Sequence, residues 1–118
     1  MSVVITSVDA GTLCLEHSAL PAELAVTEGA STGAARLPSI DGIDVGVWEH
    51  SSGVSTDTEA CEMFVVISGR GRVTCEQGGV IDLSPGVVGI LQEGARTRWE
   101  ITEPLRKVWI SRSQDVAR

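Results

Sequence analysis

Residues 61–71 read Cys61-Glu62-Met63-Phe64-Val65-Val66-Ile67-Ser68-Gly69-Arg70-Gly71, and the fold class turns on this stretch. Cys61–Ser68 is rich in β-formers and reads as a strand, with Gly69-Arg70-Gly71 as a hairpin turn. Successive side chains of a strand point to opposite faces, so Glu62, Phe64 and Val66 share one face. Cys61, Met63, Val65 and Ile67 share the other. Both faces are apolar, which predicts a strand covered on both sides, with Cys61 as packing. A buried carboxylate is costly without a partner. Glu62 is therefore either paired with an arginine, set at the strand mouth, or a polar group planted in a pocket.

The same rhythm continues outward. Gly71–Glu76 is followed by the turn Gln77-Gly78-Gly79, Val80–Leu83 by Ser84-Pro85-Gly86, and Val87–Leu91 by Gln92-Glu93-Gly94. Ala95–Thr102 ends at Glu103-Pro104, and Leu105–Ser111 is the last strand. Upstream, Val45–His50 is closed by Ser51-Ser52-Gly53. Seven short strands separated by tight turns predict an all-β protein, an antiparallel sandwich or barrel. Residues 1–44 are irregular by comparison. Val3–Ile5 reads as a short strand, Thr12–Leu24 as a weak helical stretch interrupted by Pro21, and Glu28–Gly42 as a loop with Pro38 and the Asp41-Gly42 turn.

The chain has 118 residues, which predicts one domain: an arm over 1–44, a barrel core over 45–111 and a tail over 112–118. Sixteen acidic and nine basic residues give a formal charge of −7, which argues against nucleic acid and anionic membranes as partners. No apolar run reaches the roughly 18 residues of a membrane span, and the first nine residues carry no basic, apolar leader. Cys14, Cys61 and Cys75 form no repeated spacing, which predicts reduced thiols and a cytoplasmic protein.

Two spacings carry a resemblance. Glu62 stands seven residues before Gly69, and Gly86 is followed by five residues, then Gln92-Glu93-Gly94 and Thr97. These resemble the two cupin motifs, G-x5-H-x-H-x3,4-E-x6-G and G-x5-P-x-G-x2-H-x3-N. Gly46-Val47-Trp48-Glu49, Arg98-Trp99-Glu100 and Glu103-Pro104-Leu105-Arg106-Lys107 further resemble the small single-domain cupins grouped with the (S)-ureidoglycine aminohydrolase cupin domain. The resemblance covers residues 28–111. It implies a jelly-roll barrel of two packed antiparallel sheets, with a site inside near one open end and a divalent metal held there by three histidines and one glutamate. It also implies a homodimer.

This sequence departs from that ligand set. It holds only His17 and His50, and His50 lies too far before Glu62 for the motif. The first-motif histidine positions read Ser55 and Asp57, or Thr56 and Thr58. The second-motif histidine and asparagine positions read Thr97 and Ile101. Hydroxyls are poor ligands for zinc, iron or copper, so no metal and no cofactor is expected. Asp57, Glu59 and Glu62 leave an oxygen-only site for Mg²⁺, Mn²⁺ or Ca²⁺ as the weaker option.

The expected function is binding of a small organic molecule in a barrel with a degenerate metal site. Catalysis there would be metal-independent, with Glu62 as acid or base and isomerase, lyase, cyclase or hydrolase chemistry open to it. Trp48, Phe64 and Trp99 would form walls, Thr97 shares the inward face of Trp99, and Gln92 stands at a strand entrance. His50 is a second candidate base, since its ordinary pKa lies near neutrality; the alternative is a surface residue at a turn. Arg96 and Arg98 face away from Thr97 and Trp99. With Arg106, Lys107 and Arg112 they read as a solvated outer face. Two other functions compete: a non-catalytic sensor or assembly subunit with a filled barrel, and a metal enzyme like the ureidoglycine branch with carboxylate ligands.

Overall fold

A computed structural model describes residues 5–112. It contains eight strands: β1 (His17–Ala19), β2 (Ser31–Arg36), β3 (Ile43–His50), β4 (Gly53–Thr58), β5 (Glu62–Cys75), β6 (Val80–Leu83), β7 (Val88–Leu91) and β8 (Arg96–Arg112). Every strand pairing is antiparallel. The hydrogen-bonded order is β1-β2-β3-β8-β5-β6, with β4 added to β8 and β7 to β5. The described residues form an all-β antiparallel fold, as expected.

Two long strands make the barrel. The first part of β8 pairs with β4 and its second part with β3. β5 runs beside β8 for almost its whole length, with register shifts between Val66 and Gly71. Bulges of this kind bend a strand and turn a barrel corner. Gly69 makes the bend possible: its φ is +95°, and a Cβ there would collide with the Pro104 carbonyl. Pro104 lacks an N–H to give to the ladder, and it sits where the ladder is already interrupted.

Several sequence expectations change here. Gly69-Arg70-Gly71 is a bulge inside one continuous β5, so Cys61–Ser68 and Gly71–Glu76 are not separate strands. Glu103-Pro104 likewise does not divide β8, whose seventeen residues absorb both Ala95–Thr102 and Leu105–Ser111. The helical stretch expected over Thr12–Leu24 is absent. His17–Ala19 forms β1 instead, and the expected loop over Glu28–Gly42 contains β2. Edge pairing overrides weak local propensity at these positions. β4 is an added strand with a polar sequence that carried no apolar alternation. The strand expected at Val3–Ile5 lies largely outside the described residues, as does the tail beyond Arg112.

The core joins Phe64, Val66, Val73, Leu83, Leu91, Trp99, Ile101 and Leu105, with Trp48 and Trp109 packed against it. Burying each such side chain contributes about 1.5–3 kcal/mol before entropy. Even-numbered β5 residues face this core before the bulge, and Val73 faces it after. The outer face of β5 is not covered as expected, since Met63 is exposed.

The N-terminal arm lies over the sheet. Arg106 is buried and donates to Glu49 Oε2 and to the carbonyls of Ala10 and Leu13. His17 bonds the other oxygen of Glu49 at 2.7 Å. Partial burial pushes the Glu49 pKa up, but the hydrogen bonds and charges of His17 and Arg106 outweigh it and hold the carboxyl below its usual value.

Candidate functional site

Lys107 on β8 points into the barrel. It lies eight residues past Trp99, so along one unbroken strand both side chains share a face. Only 3% of Lys107 is exposed, and its Nζ donates to Glu62 Oε2 at 2.5 Å. The ammonium also lies 4.5 Å from the Trp48 ring centre, 4.6 Å from Phe64 and 4.7 Å from Trp99. These are cation–π distances. The outer, solvated position expected for Lys107 and Arg106 is corrected: both are buried and paired, Lys107 inside the barrel against Glu62 and Arg106 on the opposite face under the N-terminal arm.

The aromatic residues converge on this point. The chain has three tryptophans, one phenylalanine and no tyrosine. Trp48, Phe64 and Trp99 surround the ammonium, and Trp109 lines the cavity beside it. The Phe64 ring is seated over Gly89 of β7, its register partner, where a Cβ would collide with it. Trp99 contacts both of the other rings, at 5.5 Å from Trp48 and 5.9 Å from Phe64.

A partly open cavity of about 290 Å³ lies next to this cluster, lined by Trp48, Asp57, Glu59, Glu62, Trp99, Lys107 and Trp109 among others. Glu59 accepts from Thr97 Oγ1 at 2.6 Å and from Trp99 Nε1 at 3.0 Å. Thr97 is buried and Glu59 anchors it. A larger cavity of about 490 Å³ opens on the side of the β5–β6 and β7–β8 turns, and Gln92 and Thr97 line it. It is rimmed by turn glycines and apolar side chains, whereas the smaller one is lined by the buried Lys107–Glu62 pair.

Of the residues singled out in the sequence, Glu62, Trp48 and Trp99 meet at the small cavity, with Phe64 directly behind the ammonium. Gln92 is exposed and stands at the other cavity. His50 lines neither; it is fully buried behind Trp48, ring to ring at 5.5 Å. The Ser51 carbonyl, which only accepts, takes a 2.6 Å bond from His50 Nδ1, so Nε2 accepts from the Ser55 hydroxyl at 2.8 Å. Burial lowers the His50 pKa; the Ser51 bond opposes this, and the charges of His17 and Lys107 add to it. His50 is thus a neutral, doubly bonded core group. Lys107 reads as an outer, solvated residue in the sequence because the Glu103-Pro104 break hides its alternation with Trp99.

The residues present do not fit the divalent metal that the cupin resemblance implies. Glu62, the one carboxylate kept from the ligand pattern, is committed to an ammonium. Ser55 and Thr97 offer hydroxyls that are already bonded to His50 and Glu59. Among the described residues no three His, Cys, Asp or Glu side chains are grouped to hold an ion.

Solved structures share this architecture at low identity. The chain superposes on the Clostridium difficile EutQ protein with a TM-score of 0.72 and 16% identity, covering 94% of this chain and 89% of that one. An ectoine synthase from P. lautus gives a TM-score of 0.59 and 18% identity over 67% of this chain and 62% of the other. A structure of DMSP lyases gives 0.66 and 16% over 86% of this chain and 57% of that one. No curated protein matches the sequence. The EutQ-like cupin domain matches residues 40–109, which include β3, the long β5 and nearly all of β8, and the chain belongs to that cupin family.

Proposed function

We propose that this cupin binds a small organic molecule in the 290 Å³ cavity and acts on it without a divalent metal. The observation that carries this reading is a buried Lys107–Glu62 pair, walled by aromatic rings, at the base of a cavity large enough for a small ligand. Trp48 and Trp99 form the walls, and Glu62 is the acid–base group, positioned by Lys107. One carboxylate beside a fixed cation suits proton-transfer chemistry: isomerisation, elimination, cyclisation or hydrolysis. The likeness to an ectoine synthase and to DMSP lyases supports a small-molecule substrate.

A panel of small polar metabolites screened by thermal shift tests the reading. A ligand that stabilises the native protein is expected to lose its effect in Glu62→Gln, and turnover of that ligand to fall at least ~100-fold. Unchanged turnover in Glu62→Gln would remove the carboxylate from the mechanism. Binding without turnover would favour the sensor reading, which the existing hydrogen bonds of His50, Glu59 and Glu62 to other side chains support.

Within the cupins we place the chain beside the ureidoglycine aminohydrolase branch on its 46–49, 98–100 and 103–107 segments. Turnover of ureidoglycine on adding Mn²⁺ would favour the metal-dependent alternative. Three free cysteines support a reducing, cytoplasmic setting. We also propose a homodimer. Cross-strand rows Ile110–Met63–Ile90 and Val108–Val65–Val88 form an outer sheet face without charge, on a chain of net charge −7. A second copy presenting the same neutral face suits it better than a charged partner.

A further inference from the structure

We propose that Lys107 is the resident cation of this barrel, and that the site is built for an alkylammonium rather than a divalent metal. This goes beyond the reading above, because it concerns what fills the site before any ligand arrives.

The surroundings of Nζ carry the argument. Three ring faces stand 4.5–4.7 Å from it, and one carboxylate oxygen accepts a hydrogen bond from it at 2.5 Å. Aromatic faces attract a large, weakly hydrated cation through the ring quadrupole. They have no lone pairs for a dication, which needs four or more oxygen, nitrogen or sulfur ligands. A lone ammonium this deeply buried would be costly, and Glu62 supplies the countercharge. The ammonium thereby also neutralises the carboxylate that the motif retains, so a metal would have to displace a covalently attached competitor. A tethered cation pays little ordering entropy on occupying the site, and the alternation of β8 directs it there.

Removing the tether tests this. Lys107→Ala deletes the propylammonium portion of the side chain, so n-propylammonium chloride is the complementary probe. Lys107→Ala is expected to melt on the order of 10 °C lower than the native protein. Its Tm should rise again, saturably, with n-propylammonium and not with sodium or tetrapropylammonium chloride at the same ionic strength. Native protein and Lys107→Ala/Glu62→Gln should show no such response. A folded Lys107→Ala that ignores n-propylammonium, or answers all three salts alike, overturns the proposal.

If Lys107→Ala does not fold, Lys107→Met keeps an unbranched side chain, one atom shorter, without the charge. In a double-mutant cycle with Glu62→Gln the two changes should be coupled by at least about fivefold in the unfolding constant; strict additivity overturns the assignment. Chelator-treated native protein titrated with Mn²⁺ and Ni²⁺ should take up neither at Glu62. One equivalent bound, and lost in Glu62→Gln, would overturn the proposal even with the cavity's ligand still unidentified.

Discussion

Two residues with ordinary names do unexpected work, and burial decides both. Lys107 becomes an interior cation because three rings and Glu62 replace its water. His50 becomes an interior neutral ring because the Ser51 carbonyl and Ser55 hydroxyl saturate it. The second case predicts a pH dependence. The folded-state pKa of His50 lies below the ordinary 6.5. Above pH 6.5 the ring is neutral in both folded and unfolded chains and contributes no slope. Below it the unfolded chain takes up a proton that the folded barrel resists, so stability falls as the pH falls. Glu49, also lowered, adds a further loss below its ordinary 4.5. Urea unfolding from pH 8 to 4 should show the decline starting near pH 6.5. In His50→Leu the part that begins below pH 6.5, ahead of the carboxylate range, should disappear, and stability at pH 8 should drop by about 1–3 kcal/mol as Ser51 and Ser55 lose their partner. An unaltered slope in His50→Leu would assign the decline to other groups.

At the scale of elements, the two long strands matter most. β5 and β8 each look like two strands with a turn between them, yet each runs on through its interruption. The Gly69 bulge lets β5 bend against Pro104 at the point where β8 cannot donate. This corner keeps Trp99 and Lys107 on one face while switching the inward parity of β5 from Glu62, Phe64 and Val66 to Val73. Gly69→Ala combines an unfavourable φ with a backbone collision, so it should destabilise by roughly 2–4 kcal/mol. Gly78→Ala, also at positive φ but with open space around it, should cost less. Chemical denaturation of both variants compares them, and equal losses would mean that the collision relaxes at no cost.

For the whole molecule, the polar chemistry is inside and one apolar face is outside. Met63, Val88, Ile90 and Ile110 are 44–63% exposed on neighbouring strands β5, β7 and β8. The proposed homodimer would cover them. Light scattering should then give about twice the 12.4 kDa chain mass, and Ile90→Glu should halve it while leaving the far-ultraviolet spectrum unchanged. A native protein that runs as a monomer at micromolar concentration would count against this face.

The sequence alone determined the fold class, the family motifs and the inward face of Glu62, Phe64, Trp99 and Thr97. Alternation and turn spacing are local properties, so they can be read without the partner strands. It also showed that the usual histidine ligands are missing, because that is a matter of counting. What it left open was what stands in their place. Lys107 is separated from Glu62 by forty-five residues, and an isolated lysine after a proline reads as solvated. Only the register of β8 against β5, carried through the Gly69 bulge, brings that ammonium to that carboxylate and sets three aromatic rings around it. A long-range pairing of this kind depends on backbone geometry at the corner, and no local pattern in the chain encodes it.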